Sequence, residues 1–170
     1  MQTLTLTKTA TETKTKLAQR AGELVSTQHA EELINNYKKT RWVHSSERIG
    51  KKDSLSVWYS VEELEGFLDM IKNAGGDGIK MHFGVYSDDF QKVPEYAGRQ
   101  TVVMLGTKAK EEENGNIVNK NIYLQTDKGT SLLAFNLGCM CPPKCGLGII
   151  QEEGIGISIN DKGGNGISIG

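Results

Sequence analysis

Near the C-terminus, all three cysteines of the chain lie in the segment Cys139-Met140-Cys141-Pro142-Pro143-Lys144-Cys145. Thiolates at close range suit zinc, and a histidine is a common fourth ligand, so one hypothesis is a zinc site at Cys139, Cys141, Cys145 and His82. A second is a labile disulfide between Cys141 and Cys145, with Lys144 lowering the pKa of a neighbouring thiol. A third is reduced cysteines in a proline-stiffened surface loop. The spacing leaves the three hypotheses open, and no other cofactor is predicted.

His82 is the histidine best placed for acid–base chemistry, with Asp88 and Asp89 following a few positions later. A hydrolase or transferase built on these residues requires their side chains to converge in one pocket. The alternative is a hydrogen-bonded histidine on a strand and two acids in a solvated loop. The glycine-rich segment 75–78 precedes a strand, whereas a phosphate-binding loop follows a strand and opens a helix. The sequence therefore favours a non-catalytic protein.

The composition narrows the class of protein. The chain has 170 residues, a formal net charge of -1 and a sequence pI of about 6.3, which fits one domain and gives no electrostatic reason to expect nucleic acid. No apolar run approaches the roughly 20 residues that span a bilayer. The N-terminal segment lacks the apolar core of a signal peptide, which predicts a cytoplasmic location. We expect no membrane partner.

The segment from Ser60 to Tyr86 is predicted to be the centre of the fold. Ser60 and Glu63 have the spacing of a capping box, and apolar residues then recur at helical intervals over 61–73. Gly75 and Gly76 end this helix. From residue 79 to 86 the period changes to two, which indicates a strand. We expect the helix to bury the apolar face of the strand, which consists of Ile79, Met81, Phe83 and Val85. The opposite face, with Lys80, His82 and Tyr86, is predicted to be solvated or covered by another element.

Further elements complete an α+β pattern. A helix is predicted over residues 27–39, followed by a polar connection over 42–55. Later strands are predicted over 101–107, 117–125 and 131–136, separated by the turn sequences Asn114-Gly115 and Asp127-Lys128-Gly129. Strands joined by short turns pair antiparallel. We therefore expect helices packed on a mainly antiparallel sheet.

The two ends of the chain differ from the rest in composition. Residues 1–16 carry threonine at alternate positions, which suits an extended or disordered tail. Residues 147–170 are rich in glycine and isoleucine, which predicts a β-hairpin. The domain itself is assigned to residues 17–146. Uncharged β-prone segments invite pairing with other chains. The predicted interaction residues are Thr3, Thr5, Thr7, Ile155, Ile157, Ile159, Ile167 and Ile169.

Two motifs resemble a group of small bacterial proteins. The strand from Gly78 to Gly84 is similar to their G-[IV]-[RK]-x-[YH]-[FY]-G pattern, and Cys141 to Cys145 is similar to their late cysteine–proline element. The resemblance covers about residues 26 to 146 and leaves out both ends. It implies no catalytic residue, because no activity is associated with these motifs.

The sequence as a whole favours a binding or self-assembly protein that associates through β-strand edges. The expected partner is a second copy of the chain or another protein. The alternative is a small zinc or thiol-redox site at the cysteine segment.

Overall fold

The computed structural model describes residues 22–144. The tails predicted over 1–16 and 147–170, with the threonine and isoleucine interaction residues named above, lie outside the described residues. Cys145 lies outside them as well. The structure therefore bears on the central domain and on the first two cysteines of the cysteine segment.

The chain enters the domain through a long N-terminal helical segment. Helix α1 (Thr27–Tyr37) is capped by Ser26, whose hydroxyl accepts a hydrogen bond from the His29 amide at 3.2 Å. It continues through a π-helical turn (Lys38–Trp42) into helix α2 (Val43–Ile49), which ends at Gly50 with a φ of 68°. The predicted helix is therefore confirmed but extends further than expected.

A polar connection was predicted over residues 42–55, but residues 42–49 are helical, so this part of the prediction is wrong. The half-buried positions of this stretch follow a helical period in which Ser45 and Ser46 stand where apolar residues are usual. Ser45 donates to the Trp42 carbonyl at 3.1 Å, and the Ser46 hydroxyl accepts from the Asp53 amide at 2.9 Å. Ser46 therefore joins α2 to the following loop through a hydrogen bond, which an apolar pattern does not reveal.

The predicted centre of the fold forms with its local features intact. After the short strand β1 (Ser56–Trp58), helix α3 (Val61–Asn73) begins at Ser60 with a complete capping box. Gly75 follows the helix in the left-handed conformation, with a φ of 72°. Strand β2 (Gly78–Val85) then begins, as the change of period predicts.

The remaining strands are β3 (Gln100–Glu111), β4 (Ile117–Asn121), β5 (Tyr123–Thr126), β6 (Gly129–Leu132), β7 (Ala134–Phe135) and β8 (Cys139–Cys141). A short 3-10 helix (Pro94–Tyr96) precedes β3. Strands β2, β3 and β4 form one sheet in that order, with β7 also paired to β3, while β1–β8 and β5–β6 form two smaller sheets. All of these pairings are antiparallel, so the predicted α+β fold with an antiparallel sheet is confirmed.

The core lies between α3 and strand β3. Phe67 and Ile71 of the helix pack with Met104 of β3 and with Leu133. Gly106 allows this close approach, since a Cβ atom there would lie 2.9 Å from both Ile71 and Leu133. The strand predicted over 117–125 is interrupted at Ile122, which packs against this core and whose amide donates to the Gly106 carbonyl at 2.9 Å.

Candidate functional site

Strand β2 lies at the edge of the largest sheet. Its residues from Gly78 to Val85 pair antiparallel with β3 from Thr107 back to Gln100. On its other side β2 has no strand partner among residues 22–144. The backbone groups on that side are therefore available to another strand.

The register identifies which backbone groups face outward. The Tyr86 amide donates to the Arg99 carbonyl at 3.0 Å, so this pair is of the hydrogen-bonded type. Hydrogen-bonded and non-hydrogen-bonded pairs alternate along an antiparallel ladder. The N–H and C=O groups of Gly84, His82 and Lys80 therefore face β3, and those of the intervening residues face away. We call these intervening residues the open edge of β2: Ile79, Met81, Phe83 and Val85.

The side chains of the open edge form an exposed apolar row. Ile79 packs against the core, but Met81 is 66 % exposed, Phe83 84 % and Val85 59 %. Alternate residues of a strand point to the same face, so these side chains lie together. Four residues thus combine apolar side chains on one face with outward backbone groups.

The prediction that α3 buries this face of β2 is therefore wrong for Met81, Phe83 and Val85. The helix lies over β3 and β7 instead, where Phe67 stacks on Phe135 with ring centroids 5.0 Å apart. A helix is about 10 Å across and strands are about 4.8 Å apart, so one helix covers about two strands. Strand β2 lies beyond its reach.

The opposite face of β2 is partly covered by the chain itself. The Tyr86 ring stacks on Phe90 with centroids 4.4 Å apart, and its hydroxyl donates to the Asn136 side chain. The Lys80 side chain crosses β3, and its ammonium donates to the Asn119 carbonyl of β4 at 3.2 Å. Its charge therefore lies away from the open edge. His82 is exposed. The face predicted to be solvated or covered by another element therefore has internal contacts through Tyr86 and Lys80. The face expected to be buried is exposed at Met81, Phe83 and Val85.

Strands β2 and β4, on opposite sides of β3, differ in how they are protected against pairing. Strand β4 is shorter and ends in three polar residues, and its Lys120 forms an ion pair with Glu112 at 2.8 Å. Strand β2 carries no proline, and its one charged side chain, Lys80, points to the face opposite the apolar row. Exposed edges usually carry charges, prolines or bulges that block association. The open edge of β2 lacks such protection on its apolar face.

Strand β8 holds two cysteines of the predicted zinc or redox site. Cys141 is disulfide-bonded, whereas Cys139 has a free thiol that lies 3.4 Å from the Lys144 carbonyl. Met140 between them is fully buried, so the cysteines share the other face of the strand. The Lys144 ammonium lies over the Tyr96 ring, 5.6 Å from its centroid.

The structure does not bring His82 into a cluster with these cysteines. His82 lies on β2, whereas Cys139 and Cys141 lie on β8, which pairs with β1 in a separate sheet. Within residues 22–144, no three histidine, cysteine or acidic side chains are grouped so that they could hold a metal ion. Because Cys145 is outside this range, the zinc site stays a prediction.

Asp88 and Asp89 are exposed in the loop after β2. Asp88 lies beside Gly98, where a Cβ atom would come within 2.9 Å of its carboxylate. The described part of the chain shows no hydrogen bond or ion pair that joins either carboxylate to His82. The structure gives no geometric support to the hydrolase hypothesis.

The sequence gives no indication of a buried polar cluster around Asp53 and Arg99. Asp53 is 3 % exposed, and its carboxylate accepts from the amides of Ser54 and Gln100, both at 2.7 Å. Arg99 is 8 % exposed and donates to the carbonyls of Glu95 and Lys52. Burial lowers the pKa of Arg99, and the negative charge of Asp53 opposes this. The cluster fastens the loop after α2 to the start of β3.

Tyr37 borders this cluster from the end of α1. Burial raises the pKa of its hydroxyl, and the Asp53 charge raises it further. The Trp42 indole donates to the Asp53 carbonyl at 2.7 Å. The charged groups of Asp53 and Arg99 are held by backbone partners, so this cluster stabilises the fold.

No protein-family model, no curated protein and no solved structure matches this chain. The resemblance of residues 78–84 and 141–145 to small bacterial proteins therefore stays a prediction. In the part of the chain that the structure describes, every helix is too short or too polar to cross a membrane.

Proposed function

We propose that this protein acts by binding rather than by catalysis, and that it associates with another polypeptide strand along the open edge of β2. The observation that carries this proposal is the exposed row of Met81, Phe83 and Val85 on an edge strand. The partner adds a strand to the sheet and covers this row.

Strand addition suits this surface better than the binding of a small molecule. In strand addition the main-chain hydrogen bonds supply affinity, and alternate side chains supply specificity. The open edge of β2 offers both, since its outward N–H and C=O groups belong to the residues that form the apolar row. Small-molecule sites are concave, whereas these side chains stand out from the sheet.

Amide hydrogen exchange of the full-length protein tests this proposal. We expect slow exchange at the outward amides of Met81 and Phe83, because a partner strand accepts their hydrogen bonds. The inward amides of His82 and Gly84 serve as internal references, since β3 protects them in every case. Unprotected exchange at Met81 and Phe83 at all protein concentrations contradicts the proposal.

The second candidate function is thiol chemistry on β8. The observation that favours it is that Cys139 keeps its thiol on the same strand face as the disulfide-bonded Cys141. A Cys139 thiolate that attacks the Cys141 sulfur would form one S–S bond and release one thiolate, without net oxidation. A disulfide at Cys141 also removes that sulfur as a zinc ligand for as long as the bond persists.

Thiol titration and elemental analysis of untagged protein test this candidate. The chain has three cysteines, and without reductant we expect one of them to react as a free thiol. We expect Cys139→Ser to lose this thiol. Three freely titrating thiols before reduction, with no bound zinc, exclude both the redox and the zinc version.

A further inference from the structure

We infer that the strand added to the open edge of β2 is β2 of a second copy of this chain, paired antiparallel about a two-fold axis at His82. This inference rests on the proposed function and specifies its partner. It joins the two β2–β3–β4 sheets into one continuous sheet.

The register of β2 permits this pairing. In a two-fold pair centred on His82, Met81 lies opposite Phe83 of the second copy, and Ile79 lies opposite Val85. These residues have outward backbone groups in both copies, so each such pair can exchange two hydrogen bonds. The complete pairing forms about eight main-chain hydrogen bonds. A two-fold axis at Met81 or at Phe83 would leave one end residue of the open edge without an open-edge residue opposite it.

The side chains also match in this arrangement. Residues opposite each other in an antiparallel pair point to the same face, so the two apolar rows join into one. On the other face, Lys80 lies opposite Gly84 of the second copy and is not opposite a second lysine. His82 lies opposite His82 of the second copy at the axis, and no two lysines or carboxylates face each other within the strand.

The size of the surface predicts a weak dimer. The open edge exposes three apolar side chains per copy, whereas a standard interface buries roughly 800 Å² per copy from about 20–30 residues. We therefore expect a reversible dimer with a dissociation constant on the order of micromolar.

A cross-link in the full chain tests the two-fold axis. At a non-hydrogen-bonded pair the Cα atoms are about 4.5 Å apart, within the range that a disulfide bridges. In a Cys139→Ser background, His82→Cys is expected to form a dimer linked from residue 82 to residue 82 under mild oxidation. Lys80→Cys is the matched control, because it lies opposite Gly84 and has no cysteine within reach. Equal cross-linking of both variants overturns the inference.

Sedimentation of wild-type protein over a range of concentrations tests the partner. We expect a monomer–dimer equilibrium that Phe83→Lys weakens at least about tenfold, since it places two charges in the joined apolar row. Leu33→Lys, which also replaces an exposed apolar side chain with lysine but on α1, is expected to leave the equilibrium unchanged. A dimer that is insensitive to Phe83→Lys overturns the inference.

A strictly monomeric protein also overturns the inference, and the amide exchange described above then decides the proposed function. If the Met81 and Phe83 amides are protected in the monomer, a segment of the same chain occupies the edge. Strand addition then stands with a different partner. If they are unprotected, both the inference and the proposed function fail.

Discussion

Met81 and Met104 lie directly opposite each other on β2 and β3, yet Met104 is 2 % exposed and Met81 is 66 % exposed. Their side chains point to the same face of the sheet. The core therefore ends between these two adjacent strands, and the apolar surface continues past it onto β2.

The two methionines are expected to differ in their contribution to stability. Met104→Ala leaves a cavity in the core and is expected to lower the free energy of unfolding by about 2–5 kcal/mol. Met81→Ala is expected to change it by less than about 1 kcal/mol under conditions that favour the monomer. Denaturant titrations at low protein concentration measure both. Equal losses would show that Met81 is buried within the monomer.

Glycines at positions 106 and 66 allow a matched test of close packing. Gly106→Ala is expected to destabilise the protein by about 1–3 kcal/mol, because the new Cβ atom meets Ile71 and Leu133. Gly66→Ala in the middle of α3 is expected to stabilise it by about 0.5–1 kcal/mol, since nothing lies within 4 Å and alanine favours the helix. Thermal unfolding shows whether each variant is more or less stable than the wild-type protein. A neutral Gly106→Ala would contradict the contact between α3 and β3.

The cluster of Asp53 and Arg99 predicts a large cost for removing the buried carboxylate. Asp53→Ala leaves the Gln100 amide without its acceptor and the Arg99 charge without its neighbour. We expect a loss of about 2–4 kcal/mol in the free energy of unfolding. Asp69→Ala is the control, because its ion pair with Lys72 is exposed and is worth less than about 1 kcal/mol. Similar losses from both variants would argue against the burial of Asp53.

The capping box of α3 predicts a pH-dependent contribution to stability. Glu63 accepts hydrogen bonds from the Ser60 amide at 2.8 Å and the Ser60 hydroxyl at 2.9 Å, and these bonds lower its pKa. The folded protein therefore holds the carboxylate more strongly than the unfolded chain does. The contribution is complete above the unfolded pKa and is lost as the pH falls through the lower folded pKa.

Stability measured from neutral pH to about pH 3 tests this coupling. Glu63→Gln is expected to flatten the acid side of the profile relative to wild type. Glu65→Gln on the same helix removes a carboxylate that makes no contact with Ser60 and serves as the control. Ser60→Ala is expected to lower stability by about 1 kcal/mol at neutral pH. An unchanged acid limb in Glu63→Gln would mean that the cap forms without the carboxylate.

The sequence by itself determined the local features of the fold. The spacing of Ser60 and Glu63, the glycine after α3 and the turns before β4 and β6 each depend on residues a few positions apart. Backbone conformation at such points follows from side-chain type, so these elements could be predicted. The alternation along β2 likewise fixed which residues share a face.

Only the tertiary structure decided which of these faces the chain itself covers. The alternation of Met81, Phe83 and Val85 is the same whether a helix of the same chain or a strand of another copy buries them. The outcome depends on where α3 lies and on how many strands one helix can cover. The proximity of the Asp53 and Arg99 charges depends in the same way on contacts between residues distant in the chain. Both outcomes follow from how the helices and strands pack together, because packing brings together segments that no local sequence pattern connects.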